Sequence, residues 1–195
     1  MIHQSADLKG GTVTQALLII DIQNDYFPGG KMELEGSTEA GHKAGRILAH
    51  FREKGLPRIH VQHISLRPGA TFFLPGTPGI EIHESVRPAE GEFILRKHFP
   101  NSFRETSLLE RLTANNIDSL VIAGMMTNMC VDATVRAAFD CGFKCIVLSD
   151  ACANRSLSYK GFEIPAHYVH AAFISSFIPV YAEVLTVDEY LSQPE

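Results

Sequence analysis

Three residues that can act together on a carbonyl stand far apart in this chain: Asp21, Lys97 and Cys130. A thiolate is a strong nucleophile, a carboxylate can take and return its proton, and an ammonium favours the ionised thiol. The stretch around Cys130 gives that residue a particular place. Residues 120–123 (LVIA) read as a short buried strand ended by Gly124. From Cys130 onward, apolar residues recur at Val131, Val135, Ala138 and Phe139, the period of an amphipathic helix, and Cys141-Gly142 supplies a glycine stop. Thr127 and Asn128 are both favourable N-caps. Cys130 is therefore predicted in the first helical turn, just past a strand. Backbone N–H groups and the helix dipole there favour a thiolate and can hold an oxyanion. Lowering a thiol pKa by about two units corresponds to roughly 3 kcal/mol of differential stabilisation. A helix terminus supplies ~1–2 kcal/mol, leaving the rest for an ammonium such as Lys97. Each residue also has a plain structural reading: a free cysteine is often a small core residue, Lys97 in Arg96-Lys97-His98 a solvated one, and Asp21 a turn-starter or helix cap.

The elements that must position these groups alternate between strand and helix. Residues 16–22 (ALLIIDI) form a continuous apolar run, as in a strand covered on both faces, with Asp21 at its end. A helix is predicted over 39–54, a strand over 58–63 (RIHVQH) and a third strand over 93–95 leading into Lys97. A short helix follows over 106–113, then strands over 119–123 and 145–148. Residues 154–163 read as a polar loop, 165–177 as a helix with Pro165 near its start, and 180–185 as a sixth strand. Thr186-Val187-Asp188-Glu189 is a capping-box sequence for a last short helix. The long Pro- and Gly-rich segment 64–92 has the character of a lid, a binding loop or an oligomer contact. This alternation predicts an α/β fold, one mostly parallel sheet with helices on both faces. Ligands of such sheets lie beyond the C-terminal strand ends, where Asp21, His63, Lys97 and Cys130 all fall on four different strands.

Composition narrows the function classes. A chain of 195 residues with 45% hydrophobic and 20% charged residues fits one globular domain over 1–195, with 1–15 as a loosely held N-terminal arm. A formal charge of −5 gives no reason to expect nucleic acid or an anionic membrane surface. No apolar run approaches a membrane span, and the N-terminus lacks the apolar core of a signal peptide, so the expected location is the cytoplasm. Four cysteines (Cys130, Cys141, Cys145, Cys152) make no C-x2-C pair and are expected as free thiols. No G-x-G-x-x-G follows the first strand, which argues against a dinucleotide cofactor.

The segments LLIIDIQNDYF, ILRKHFPNSFRETSLLERL and LVIAGMMTNMCVDATVRAAFDCGF resemble the three motifs of the isochorismatase-like cysteine hydrolases. That superfamily includes nicotinamidases and N-carbamoylsarcosine amidohydrolase, and the resemblance covers nearly the whole chain. It implies a catalytic triad of Asp21, Lys97 and Cys130, an oxyanion hole from the N–H groups of Met126 and Cys130, and a cis peptide between Met125 and Met126. It also implies a Rossmann-like three-layer α/β/α sandwich with a six-stranded parallel sheet, in a homodimer or larger homo-oligomer. Nicotinamidases resemble one another in an Asp-x-His plus His metal site after the second strand. Here Val61-Gln62-His63 lacks the carboxylate, and His60 and His63, three apart on a strand, should face opposite ways. No metal and no cofactor are therefore expected. Isochorismatases proper cleave a vinyl ether and do not need the cysteine. Cys130 tilts the expectation toward a metal-independent hydrolase that cleaves a C–N bond of a small amide or ureido substrate through a thioester. A vinyl-ether hydrolase and a non-enzymatic binding protein on the same fold are the alternatives. Phe27, Phe72, Phe73 and Phe103 as apolar walls, Asn24 or Gln23 as a polar contact, and His63 are the candidate substrate contacts, each equally able to belong to the core.

Overall fold

Continuous apolar runs build the centre of the sheet. The computed structural model describes residues 14–193. Along the chain the strands are β1 (Gln15–Ile20), β2 (Arg58–His63), β3 (Phe93–Lys97), β4 (Ser119–Met125), β5 (Lys144–Ala153), β6 (Leu157–Tyr159), β7 (Phe162–Ile164) and β8 (Glu183–Leu185). The helices are α1 (Ser37–Glu53), α2 (Leu108–Ala114), α3 (Asp132–Asp140), α4 (Ala166–Phe177) and α5 (Val187–Leu191). Six strands pair in the order β3-β2-β1-β4-β5-β8, all parallel. β1 and β4 are central and buried along nearly their whole length, which is why their sequences do not alternate. At Gly124, a Cβ would run into the Ile20 carbonyl oxygen and side chain, so the close approach of these two strands requires glycine.

The two faces of the sheet are covered separately. Leu17 and Ile19 point to a core completed by Ala44, Ile47, Leu48 and Phe51 of α1 and Tyr190 of α5. Ala16, Leu18 and Ile20 point the other way, to Leu108 and Leu112 of α2, Val135 and Ala138 of α3 and Phe177 of α4. This is the expected three-layer α/β/α sandwich. The capping box at α5 is formed, with the Thr186 side chain accepting from the Glu189 N–H. Among the described residues no helix is long and apolar enough to cross a membrane.

Several boundaries differ from the sequence reading. β1 ends at Ile20, because Asp21 takes a left-handed conformation at φ 53°. The expected loose arm lies outside the described residues except for its last two. Of these, Gln15 pairs with Ser119 and accepts a hydrogen bond from the Tyr190 hydroxyl. β3 runs on through Lys97, and β5 through Ala153 past a register shift. Residues 154–163 are not a plain loop: β6 and β7 form a hairpin about Lys160-Gly161, both at positive φ.

Candidate active site

The strand order places four polar residues on one rim. The chain leaves β1 in one direction to build β2 and β3, and returns to the other side for β4 and β5, so the sheet switches direction between β1 and β4. Asp21 follows β1, and the turn carrying Cys130 follows β4, at the crevice where such sheets bind ligands. His63 and Lys97 end β2 and β3 and are register partners. With a side-chain period of two, His63 lies on the face of Ile59 and Val61, and Lys97 on the face of Leu95. Both therefore meet Asp21 from the same side.

Lys97 Nζ donates to Asp21 Oδ2 at 2.7 Å, to His63 Nδ1 at 3.1 Å, and to the carbonyls of Phe99 and Pro100 at 3.2 and 3.3 Å. Both members of the ion pair are completely buried. Such a pair persists only where its remaining valences are met. The ammonium is saturated, whereas Asp21 Oδ1 is buried with no hydrogen-bond partner. Cys130 Sγ, an Asp21 carboxylate oxygen and a His63 ring nitrogen lie within 4.8 Å of one another. Those three groups have the chemistry of metal ligands. Lys97 Nζ already stands between Asp21 and His63, however, and supplies the positive charge there.

Burial pulls the Lys97 pKa down, but Asp21 and Cys130 outweigh it and hold the group above its usual value, as an ammonium. For Cys130 the balance is the reverse of the sequence expectation. Burial, and then the charge of Asp21, push the thiol well above its usual range against the opposing effect of Lys97. Both effects favour the thiol over the thiolate. The local backbone also departs from the expected helix start. Thr127–Val131 form one π-type turn ahead of α3, with no side-chain cap on it. Neither expected cap closes the turn: the Thr127 hydroxyl lies 3.2 Å from the Ala153 carbonyl oxygen, its acceptor, and 3.0 Å from His170 Nδ1, while among the described residues Asn128 Oδ1 is buried without a partner. The peptide bond between Met125 and Met126 is cis.

A cavity of about 250 Å³ opens above Cys130, walled by Tyr26, Phe72, Phe73, Phe99, Met126 and Met129, with His63 and Arg67 among its polar members. Of the candidate contacts, His63, Phe72 and Phe73 lie here and Gln23, Asn24, Phe27 and Phe103 do not. Asn24 turns its amide to the Pro78 carbonyl, Phe27 is buried and stacked on His83, and Phe103 stacks on Phe143 against the α2–α3 core. The segment 64–92 forms a wall of the pocket because two side chains of the first motif hold it. Asp25 accepts from the Phe73 N–H at 2.6 Å, and Gln23 bonds both the His63 backbone and the Ile80 carbonyl. At Gly79 a Cβ would collide with the Asp25 carboxylate, so glycine lets the segment close over it. Tyr26 and Met129 were not singled out from sequence. The ALLIIDIQNDYF run was the available signal for Tyr26, since a residue five past Asp21 on the same turn must lie near it.

His63 accepts from an ammonium at Nδ1, so its own proton is on Nε2. Burial lowers its pKa to about 4, with Asp21 opposing and Lys97 adding to the shift. The unfolded chain titrates near ~6.5, so between these values it binds more protons than the folded protein. Stability therefore rises with pH in that window and is lost as pH falls from about 6.5 toward 4. The difference amounts to about 2 kcal/mol between pH 7 and pH 4.5. Urea unfolding at those two pH values is expected to show that much less acid loss in His63→Asn than in the parent. An equal loss in both would show that His63 does not carry it.

A family model of the isochorismatase domain matches residues 15–189. The uncharacterised isochorismatase family protein YddQ of Bacillus subtilis (strain 168) is 49% identical over 179 residues, covering 92% of this chain and 99% of its own length. The maleamate amidohydrolase of Pseudomonas putida is 29% identical over 154 residues, 72% of each chain. A crystal structure from Oleispira antarctica, assigned to the isochorismatase hydrolases, superposes with a TM-score of 0.88 at 46% identity, covering 94% of this chain and all of that one.

Proposed function

The chain belongs to the isochorismatase family, and from that premise we propose that it is a metal-independent cysteine hydrolase that cleaves the C–N bond of a small amide or ureido compound. One observation carries the reading: a buried carboxylate with one oxygen tied to an ammonium and the other unpartnered, beside a thiol at the floor of a small pocket. Asp21 Oδ1 takes the Sγ proton as sulfur attacks the carbonyl carbon. The N–H groups of Met126 and Cys130 receive the oxyanion. Asp21 then returns the proton to the leaving nitrogen, the C–N bond breaks, and a thioester remains. A water gives its proton to Asp21 and attacks the thioester. Collapse expels the sulfur as a thiolate, which recovers the proton. Lys97 holds Asp21 in place and offsets the charge on sulfur while it exists. The resting thiol fits this cycle, since the proton the leaving group needs is already stored on sulfur.

The direct experiment is a panel of amides and ureido compounds assayed for release of ammonia or amine, with Cys130→Ala as control. Release by the parent and none by the variant is expected. No release from any member of the panel, with turnover of a vinyl ether instead, would replace this reading. A chelator is expected to leave turnover unchanged, because Lys97 occupies the position a cation would take between Asp21 and His63. Loss on chelation and recovery with zinc would overturn the metal-independent chemistry.

A further inference from the structure

One guanidinium at this pocket has no partner. Arg46, Arg52, Arg58, Arg104 and Arg136 each hold a carboxylate. Arg67 lines the cavity with His63 and Cys130, and among the described residues its side chain makes no hydrogen bond or ion pair. It is close enough for its charge to act on the His63 ring. Among the described residues no aspartate or glutamate lines the cavity. The carboxylate beneath it, Asp21, is neutralised by Lys97. The remaining wall is mostly aromatic and thioether surface from Tyr26, Phe72, Phe73 and Met126. The ring edge of His63 away from Lys97 carries an N–H donor. The pocket thus presents a positive charge and a donor, with no fixed negative group to pair them.

We infer that the site selects small amides that also carry a carboxylate, and that Arg67 is the residue that selects them. A planar guanidinium binds a carboxylate through paired, charge-assisted hydrogen bonds and repels a cationic substrate. The cavity is smaller than the ~300–1,000 Å³ typical of sites for drug-sized ligands, which keeps the acyl part short. The amide then sits at Cys130 and the carboxylate at Arg67, with apolar walls between. The reaction in this inference rests on the amidohydrolase reading, whereas the anion preference is a matter of binding.

Calorimetry on Cys130→Ala, which binds without turnover, tests the preference with succinamate against succinamide and glutaramate against glutaramide. Each pair shares a heavy-atom skeleton and differs in one carboxylate. The carboxylate members are expected to bind at least tenfold tighter, and to weaken as salt is raised while the neutral ones do not. Adding Arg67→Gln should erase the difference and Arg67→Lys should restore part of it, with the thermal midpoint unmoved because Arg67 is exposed. Equal affinities, no measurable binding of either pair, or a preference that survives Arg67→Gln would overturn the inference. Ammonia release by the parent enzyme separates the two ideas. Cys130-dependent turnover without carboxylate preference leaves the hydrolase reading standing and removes this one. Carboxylate preference without turnover does the opposite.

Discussion

Cys130→Ala is expected to remove turnover, a loss on the order of 10⁴–10⁶ in kcat, while the protein stays folded. No other thiol lines the pocket. Cys145 and Cys152 are buried in the sheet, and Cys141 is exposed at the far end of α3. The substitution removes one sulfur from a 5% exposed position, so the fold should survive it. Thermal unfolding together with single-turnover assays would show this. Alkylation gives an independent reading, but the structure changes how it must be done. A thiolate at a helix end would react ahead of the other cysteines. The structure buries Cys130 and leaves Cys141 in solvent, so an iodoacetamide experiment belongs in a Cys141→Ser background. Inactivation should then track modification of Cys130. Undiminished turnover in the alanine variant would remove the nucleophile assignment.

The parts of the site legible in the sequence are those set by periodicity along one element. Asp21, His63 and Lys97 fall at the ends of apolar runs, and a parallel sheet brings such ends to one rim whatever lies between them. His60 and His63 were separable by parity alone: His60 pairs with Glu92 on the other face, and His63 reaches Lys97. What was not legible depends on contacts between segments distant in sequence. Phe73 is among the candidate walls in the sequence, but what fixes it there is Asp25, 48 residues earlier, accepting its N–H, and no pattern within 64–92 encodes that bond. Phe27 faces away because the preceding 3-10 turn, Asn24–Tyr26, rotates Tyr26 inward and Phe27 onto His83. For Cys130 the helix-end argument counts the dipole and the ammonium and omits burial and Asp21, both of which favour the thiol. Those two effects dominate here. The hairpin at 157–164 had a signal, alternation on either side of Lys160-Gly161, that the polar composition of the segment hid.

Asp21→Asn should lower kcat by about 10²–10⁴ with little change in fold. Asparagine has the same shape and, like aspartate, tolerates the left-handed backbone found at this position. It can still accept from Lys97 but can neither take the Sγ proton nor return it to the leaving group. The variant also loses the Asp21 charge that raises the thiol, but burial, the largest cause, still opposes a thiolate. Lys97→Met should fail differently. It keeps the stem but leaves Asp21 as a buried charge without its partner, which costs about 3–5 kcal/mol of stability in comparable cases. It also removes the one group that favours a charge on sulfur. Turnover and urea stability should therefore both fall. The double variant, Asp21→Asn with Lys97→Met, separates the two roles. It has no uncompensated charge, so it should be more stable than Lys97→Met alone yet remain as inactive. Turnover in Asp21→Asn within tenfold of the parent would defeat the acid–base role of Asp21 even if Cys130 proved essential. A double variant no more stable than Lys97→Met would show that the buried pair is not the coupled unit its 2.7 Å contact implies.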